Sequence, residues 1–133
     1  MDETAPERVV IRVDDAPQQP DFISHAVRHG DLVFTSGAPP RHPLTREIPE
    51  GFEAQAQQCL DNLEAMLRGA RTSLRRALKV TVYLADIADW AAMNDVYRAH
   101  VEPGAAPART TVEVAAMNSG YLIEIEAIAV AGP

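Results

Sequence analysis

The sequence predicts an α+β fold, a mixed sheet with two helices on one face in the order β-β-α-β-α-β-β. Three observations predict it. Five short stretches read as strands, the clearest by strict apolar–polar alternation. Apolar residues also recur at spacings of three and four over one long segment and one shorter one, as they do along a helix buried on one side. Finally, two strand–helix units follow one another, and helices of this length serve as crossovers between parallel strands.

Taken in order, residues 1–7 read as a loose terminus of a single domain spanning 1–133. Val9, Ile11 and Val13 alternate with polar residues and predict a first strand, which Pro17 and Pro20 end. Leu32–Ser36 reads as a second strand, closed by Gly37, Pro39 and Pro40, with a loop over Arg41–Pro49. Phe52, Ala56, Cys59, Leu60, Leu63, Met66 and Leu67 predict a helix over about 50–68, with Gly69 free to take a left-handed cap. Leu78, Val80, Val82 and Leu84 alternate with Lys79, Thr81 and Tyr83 in a third strand. Asp89 is placed to cap a second helix that carries Trp90, Met93 and Tyr97 on one face, and Pro103 and Gly104 close it. Arg109–Ala115 and Tyr121–Val130 complete the set, separated by a turn at Asn118, Ser119 and Gly120. With both helices on one face the other face is bare, and apolar residues on a bare face predict an oligomer.

Composition narrows the function classes. The 133 residues are 47% hydrophobic but only 5% aromatic, so the core must be built from Ala, Val, Leu and Ile. The net charge of -7 repels nucleic-acid backbones, and the longest basic cluster, Arg71, Arg75, Arg76 and Lys79, is short. The single cysteine, Cys59, cannot form an internal disulfide and lies on the apolar stripe as a packing residue, which fits a reducing, cytoplasmic compartment. The N-terminal stretch lacks the apolar core of a signal peptide, and no run is long enough to span a membrane. His25, His29, His42 and His100 match no metal-site spacing, so no metal is expected.

Five motifs in order carry a further resemblance. They are Phe34-Thr35-Ser36-Gly37, the stretch QAQQCLDN over Gln55–Asn62, Val80–Leu84 with Asp86 and then Met93-Asn94-Asp95-Val96-Tyr97, Pro107-Ala108-Arg109-Thr110, and Ile123-Glu124-Ile125-Glu126-Ala127-Ile128-Ala129. From about residue 20 to residue 130 the chain resembles the YjgF/YER057c/UK114 (RidA) family. The resemblance implies a chorismate-mutase-like fold and a homotrimer with a cleft at each subunit interface. It also implies hydrolysis of 2-imino acids and their enamine tautomers, such as 2-aminoacrylate, to 2-keto acids and ammonia without metal or organic cofactor. In it, Arg109 corresponds to the residue that binds the substrate carboxylate, and Glu124 to the one thought to position water.

The residues themselves suit these roles while leaving others open. A guanidinium offers a planar fork matched to a carboxylate, which a lysine lacks. Alternation along the fourth strand places Arg109, Thr111 and Glu113 on one face, expected to be the open one, and Thr110, Val112 and Val114 on the other. A surface salt bridge is the alternative role for Arg109. Glu124 and Glu126 share a face with Ile128 and Val130. Partial burial there would raise a carboxyl pKa into the range of a general acid or base, and a paired structural carboxylate is the alternative, favoured for Glu126.

Ser36 and Gly37 can hold a substrate atom or water, or simply end a strand. Asn94 can support the cleft or bond a loop. Thr111 stands where many relatives of this type carry Cys. Phe22 or Ile23 stands where the archetypal enzymes have a pocket tyrosine, and Ala38 where Gln is usual. Both changes predict a more apolar pocket, open to a bulkier or less polar substrate. Two other functions stay in view, a specialised enzyme for a larger pathway intermediate and a non-catalytic trimer that binds small carboxylates.

Overall fold

The structure, a computed structural model, describes residues 5–132. Of the expected loose terminus, residues 1–4 lie outside the described residues, while Ala5–Glu7 lead without regular structure into the sheet.

Six strands and two helices follow in order: β1 (Arg8–Ile11), β2 (Ala26–His29), β3 (Leu32–Thr35), α1 (Phe52–Gly69), β4 (Ala77–Leu84), α2 (Trp90–Tyr97), β5 (Ala108–Glu113) and β6 (Ile123–Val130). They form one sheet in the order β1-β2-β3-β6-β4-β5. Only β4 and β5 pair in parallel, with α2 as their crossover. β3 and β4 are both antiparallel to β6, so α1 connects two parallel strands with a third between them. The fold is thus the α+β mixed sheet with two helices that the sequence predicts.

Strict alternation decides the covered face. Val80, Val82 and Leu84 of β4 and Ile123, Ile125, Ala127 and Ala129 of β6 are buried under Leu60, Leu63, Met66 and Leu67 of α1. Each large aliphatic side chain removed from water contributes about 1.5–3 kcal/mol. Leu32 and Phe34 are exposed on the other face, beside Val130 and Ile128, and Val112 is exposed on that face beside Tyr83. The sheet therefore carries apolar residues on the side that no helix of the described residues covers.

The sequence reading misses β2. Ala-Val-Arg-His has one β-branched residue in four and no alternation long enough to register. It becomes a strand because His29 pairs with Leu32 across the two-residue turn Gly30-Asp31, where Gly30 has φ 61.

Two cap assignments also change. Gly69 remains helical, and its missing side chain serves a close approach instead, because a Cβ there would lie 1.9 Å from Val13 Cγ1. The left-handed residue is Arg71, φ 61, with the N–H of Arg71 on the Arg68 carbonyl and that of Thr72 on the Leu67 carbonyl, both at 3.0 Å. Asp89 makes no side-chain cap. Asp86 accepts from the Ala88 N–H at 2.9 Å, capping the short turn Ile87–Asp89 that leads into α2.

Candidate functional site

Two clusters of polar side chains emerge, one on each face of the sheet. Arg109 pairs with Val80, and Val80 with Ala127, both buried on the helix side. Arg109 and Thr111 therefore face α2 and not the open side, which corrects the expected orientation of β5. Alternation in this strand misleads because β5 is at the sheet edge, where Val112 stays exposed and register with β4 alone decides the face.

Asn94, one turn after Trp90 on α2, accepts from Arg109 Nη2 at 2.5 Å. The guanidinium carbon lies 4.9 Å from the Tyr97 ring centre and 5.7 Å from that of Trp90. Such cation–π contacts are worth about 0.5–2 kcal/mol each. No carboxylate of the described residues lies within ion-pair distance of Arg109. Its charge is held in place without being neutralised. Burial pushes the Tyr97 hydroxyl pKa up while Arg109 pulls it down. Tyr97 Oη and Thr111 Oγ1 are both buried without a hydrogen-bond partner among the described residues.

The second cluster surrounds Glu124, which pairs with Tyr83 on the open face. β3 ends at Thr35, and the chain then bends so that Ala38 bridges Ile125, with the Ala38 N–H on the Ile125 carbonyl at 2.7 Å. That bend carries Gly37 over Glu124. A Cβ on Gly37 would sit 2.0 Å from Glu124 Oε1, so a side chain there would displace the carboxylate from this position. Burial, and then the charge of Glu126, raise the Glu124 pKa. Glu126 accepts a hydrogen bond from Tyr83, whose own pKa is pushed up to about 12, first by that bond and then by burial. Beneath them Cys59 is fully buried, its thiol donating to the Ala38 carbonyl at 2.9 Å, and burial holds its pKa well above the usual value.

Glu124 opens into a cavity of about 420 Å³ lined also by Ile23, Ser36, Gly37, Arg41 and Tyr121. Its walls are tied down by buried polar groups. His25 accepts from the Val13 N–H at Nδ1 (3.1 Å) and meets the Pro17 carbonyl at Nε2 (2.8 Å), so the proton is on Nε2. Asn62 donates to the carbonyls of Pro39 (2.8 Å) and Arg41 (2.7 Å). Ser36 donates to the Ser24 carbonyl at 2.6 Å.

Several sequence expectations meet here. Ser36, Gly37, Ile23 and Glu124 come together in one cavity, and Asn94, Thr111 and Arg109 in one cluster. Phe22 joins neither, being 81% exposed. Arg41, Gln18, Gln19 and Asn118 line the cavity along with Glu124. Arg41 and Tyr121 went unnoticed in the sequence because they lie 80 residues apart and meet only in the fold. Above all, Arg109 and Glu124 are on opposite faces of the sheet, so within one chain they do not face the same space.

The family model described as Endoribonuclease L-PSP matches residues 13–131. The chain is 42% identical over 121 residues to RutC family protein PH0854 of Pyrococcus horikoshii, covering 90% of this chain and 95% of that protein. It is 38% identical over 122 residues to the 2-iminobutanoate/2-iminopropanoate deaminase of Escherichia coli K12, again covering 90% and 95%. The crystal structure of E. coli TdcF with bound serine superposes with a TM-score of 0.86 at 35% identity, covering 93% of this chain and 99% of that one. No helix among the described residues is long and apolar enough to cross a membrane.

Proposed function

The chain belongs to the YjgF/YER057c/UK114 (RidA) family, and from that premise we propose that it hydrolyses 2-imino acids and their enamine tautomers to 2-keto acids and ammonia. The observation that carries this reading is Arg109, a guanidinium braced by an amide and two aromatic faces and left without an acidic partner. Such a group is ready to receive a carboxylate at little reorganisation cost.

In the proposed reaction Arg109 binds the α-carboxylate of the imine. Glu124 takes a proton from water as the oxygen bonds to the C=N carbon. It passes that proton to nitrogen, giving a carbinolamine, and then carries the hydroxyl proton to the same nitrogen, so that the C–N bond breaks and ammonia leaves as the C=O forms. A carboxyl with a raised pKa is suited to passing a proton in both directions. Ser36 and the backbone beside Gly37 line the same cavity and can hold the water or the departing nitrogen. The balance needs no metal, redox partner or organic cofactor.

Because the two groups lie on opposite faces, the reading requires Arg109 of one copy to meet Glu124 of another, as in a homotrimer with its sites between subunits. The uncovered apolar face and the open edge of β5 support such an assembly. The lone buried cysteine fits a cytoplasmic setting. Cleavage of RNA, the activity in the family model's description, is opposed by a net charge of -7.

The test is to generate 2-aminoacrylate or 2-iminobutanoate in situ and follow its conversion to the keto acid. The protein is expected to accelerate that conversion. Arg109→Ala should lower kcat/KM by about 100-fold or more, the consequence of losing a desolvated charge pair worth ~3 kcal/mol. An unchanged rate with folded protein present rejects the reading. Binding of 2-oxobutanoate that Arg109→Ala abolishes, without any turnover, identifies a carboxylate-binding protein in its place.

A further inference from the structure

We infer that Arg41 is a second anion-binding residue, which selects substrates bearing an acidic group at the end remote from the imine, that is, 2-imino dicarboxylates. The inference rests on the proposed reaction for the identity of the substrate, but its evidence is independent of Arg109.

Arg41 lines the Glu124 cavity and is fixed at both ends. Its backbone carbonyl accepts from Asn62. Its Nε donates to the Tyr121 hydroxyl at 3.0 Å, its Nη1 to the Arg46 carbonyl at 2.8 Å, and its guanidinium carbon lies 5.6 Å from the Tyr121 ring centre. All three partners are neutral. They orient the fork without cancelling its charge, and Nη2 has no partner among the described residues.

The chain carries 19 acidic side chains, yet none among the described residues lies within ion-pair distance of Arg41. Glu124 shares the cavity but stands beyond that distance, leaving space between anion and cation. Arg46, likewise without an acidic partner, joins Arg41 and Gln18 around an adjoining recess of about 240 Å³. In a protein of net charge -7, two unneutralised guanidiniums over one recess make a local positive patch.

The occupant must leave Glu124 access to the imine carbon and extend toward the cation. With one carboxylate on Arg109 of a neighbouring copy, the remaining charge falls on Arg41. The chemistry is unaltered: water oxygen replaces nitrogen at the same carbon, and ammonia leaves. A clamp that merely closes the Arg41–Pro49 loop is the competing role, and it predicts no dependence on substrate charge.

The experiment compares imines generated in situ from glutamate and from norvaline by amino-acid oxidases, with 2-oxoglutarate and 2-oxopentanoate as calorimetric binding probes. The wild-type protein should favour the acidic imine by at least about ten-fold, as one charge-assisted hydrogen bond provides. Arg41→Met should lower kcat/KM for the acidic imine at least about ten-fold more than for the neutral one. Absence of preference in the wild type, or an equal fall for both imines, overturns the inference and leaves the deaminase reading standing. If no imine is turned over, the deaminase reading fails, and the binding probes decide for Arg41. Tighter 2-oxoglutarate binding that Arg41→Met removes upholds it, and equal binding of the two probes overturns it. Should Arg41→Met not fold, Tyr121→Phe takes its place, with the same fall in acidic preference expected and an unaltered preference counting against the inference.

Discussion

Arg109 and Glu124 are held in opposite ways on opposite sides of one sheet. The guanidinium sits at the edge, against α2, among neutral partners that stabilise its charge. The carboxyl sits at the start of β6, under the bend that follows β3, half-buried beside another carboxylate, where its charge is opposed. One environment keeps a cation ready to bind an anion. The other opposes the charge of a carboxylate and raises its pKa. The difference teaches that, on the proposed reading, neither cluster is a site alone. Each supplies what the other lacks, and the sheet between them prevents a single chain from joining the two.

The largest expected effect tests that separation. Arg109→Ala and Glu124→Gln should each be nearly inactive, the latter by about 10²–10⁴-fold as for a lost general acid–base group. Unfolding the two variants together and refolding them should restore up to about a quarter of wild-type activity, because random assembly of a symmetric oligomer puts the intact Arg and the intact Glu at one interface in that share of sites. Activity in the mixture no higher than in either variant breaks the idea that the halves come from different copies.

A smaller effect probes the Arg109 side. Asn94→Asp replaces the neutral brace with an anion at the same place. It should lower kcat/KM by about ten- to a hundred-fold, with most of the change in KM, as the guanidinium becomes internally neutralised. Asn94→Ala, which removes the brace without adding charge, should cost only about five- to ten-fold. Steady-state kinetics on one imine checks both, and equal losses would show that the charge on Arg109 is not what matters.

The mildest effect concerns the Glu124 side. On the proposed reading Glu124 acts as a carboxylate with a raised pKa, so kcat/KM should fall on the acid side at a higher pH than an ordinary carboxylate would give. Glu126→Gln removes the second cause of that rise and leaves the first, burial. The pKa therefore falls part of the way, and the acid limb of the pH profile should move to lower pH. A limb that stays in place would mean another group controls it.

How much of this is legible in the sequence follows from range. The stripe of α1 and the alternation of β4 and β6 are local patterns, and the structure keeps them within a residue or two. The Ser36-Gly37 turn is visible because a glycine after a strand marks a turn, although the reason for it, a Glu124 oxygen where a Cβ would be, comes from 87 residues away. β2 is invisible because pairing with its hairpin partner makes it a strand. The face of Arg109 is misread because an edge strand need not bury its apolar side.

By itself the sequence determined the class of fold, the order of most elements and the family, because periodicity and short motifs are written in neighbouring residues. Only the tertiary structure decided which way β5 faces, that Arg41 and Tyr121 meet, and that the cationic and acidic clusters are separated by the sheet. Those facts depend on strand register and on contacts between distant residues, and the free energy of such contacts exists only once the chain has closed on itself.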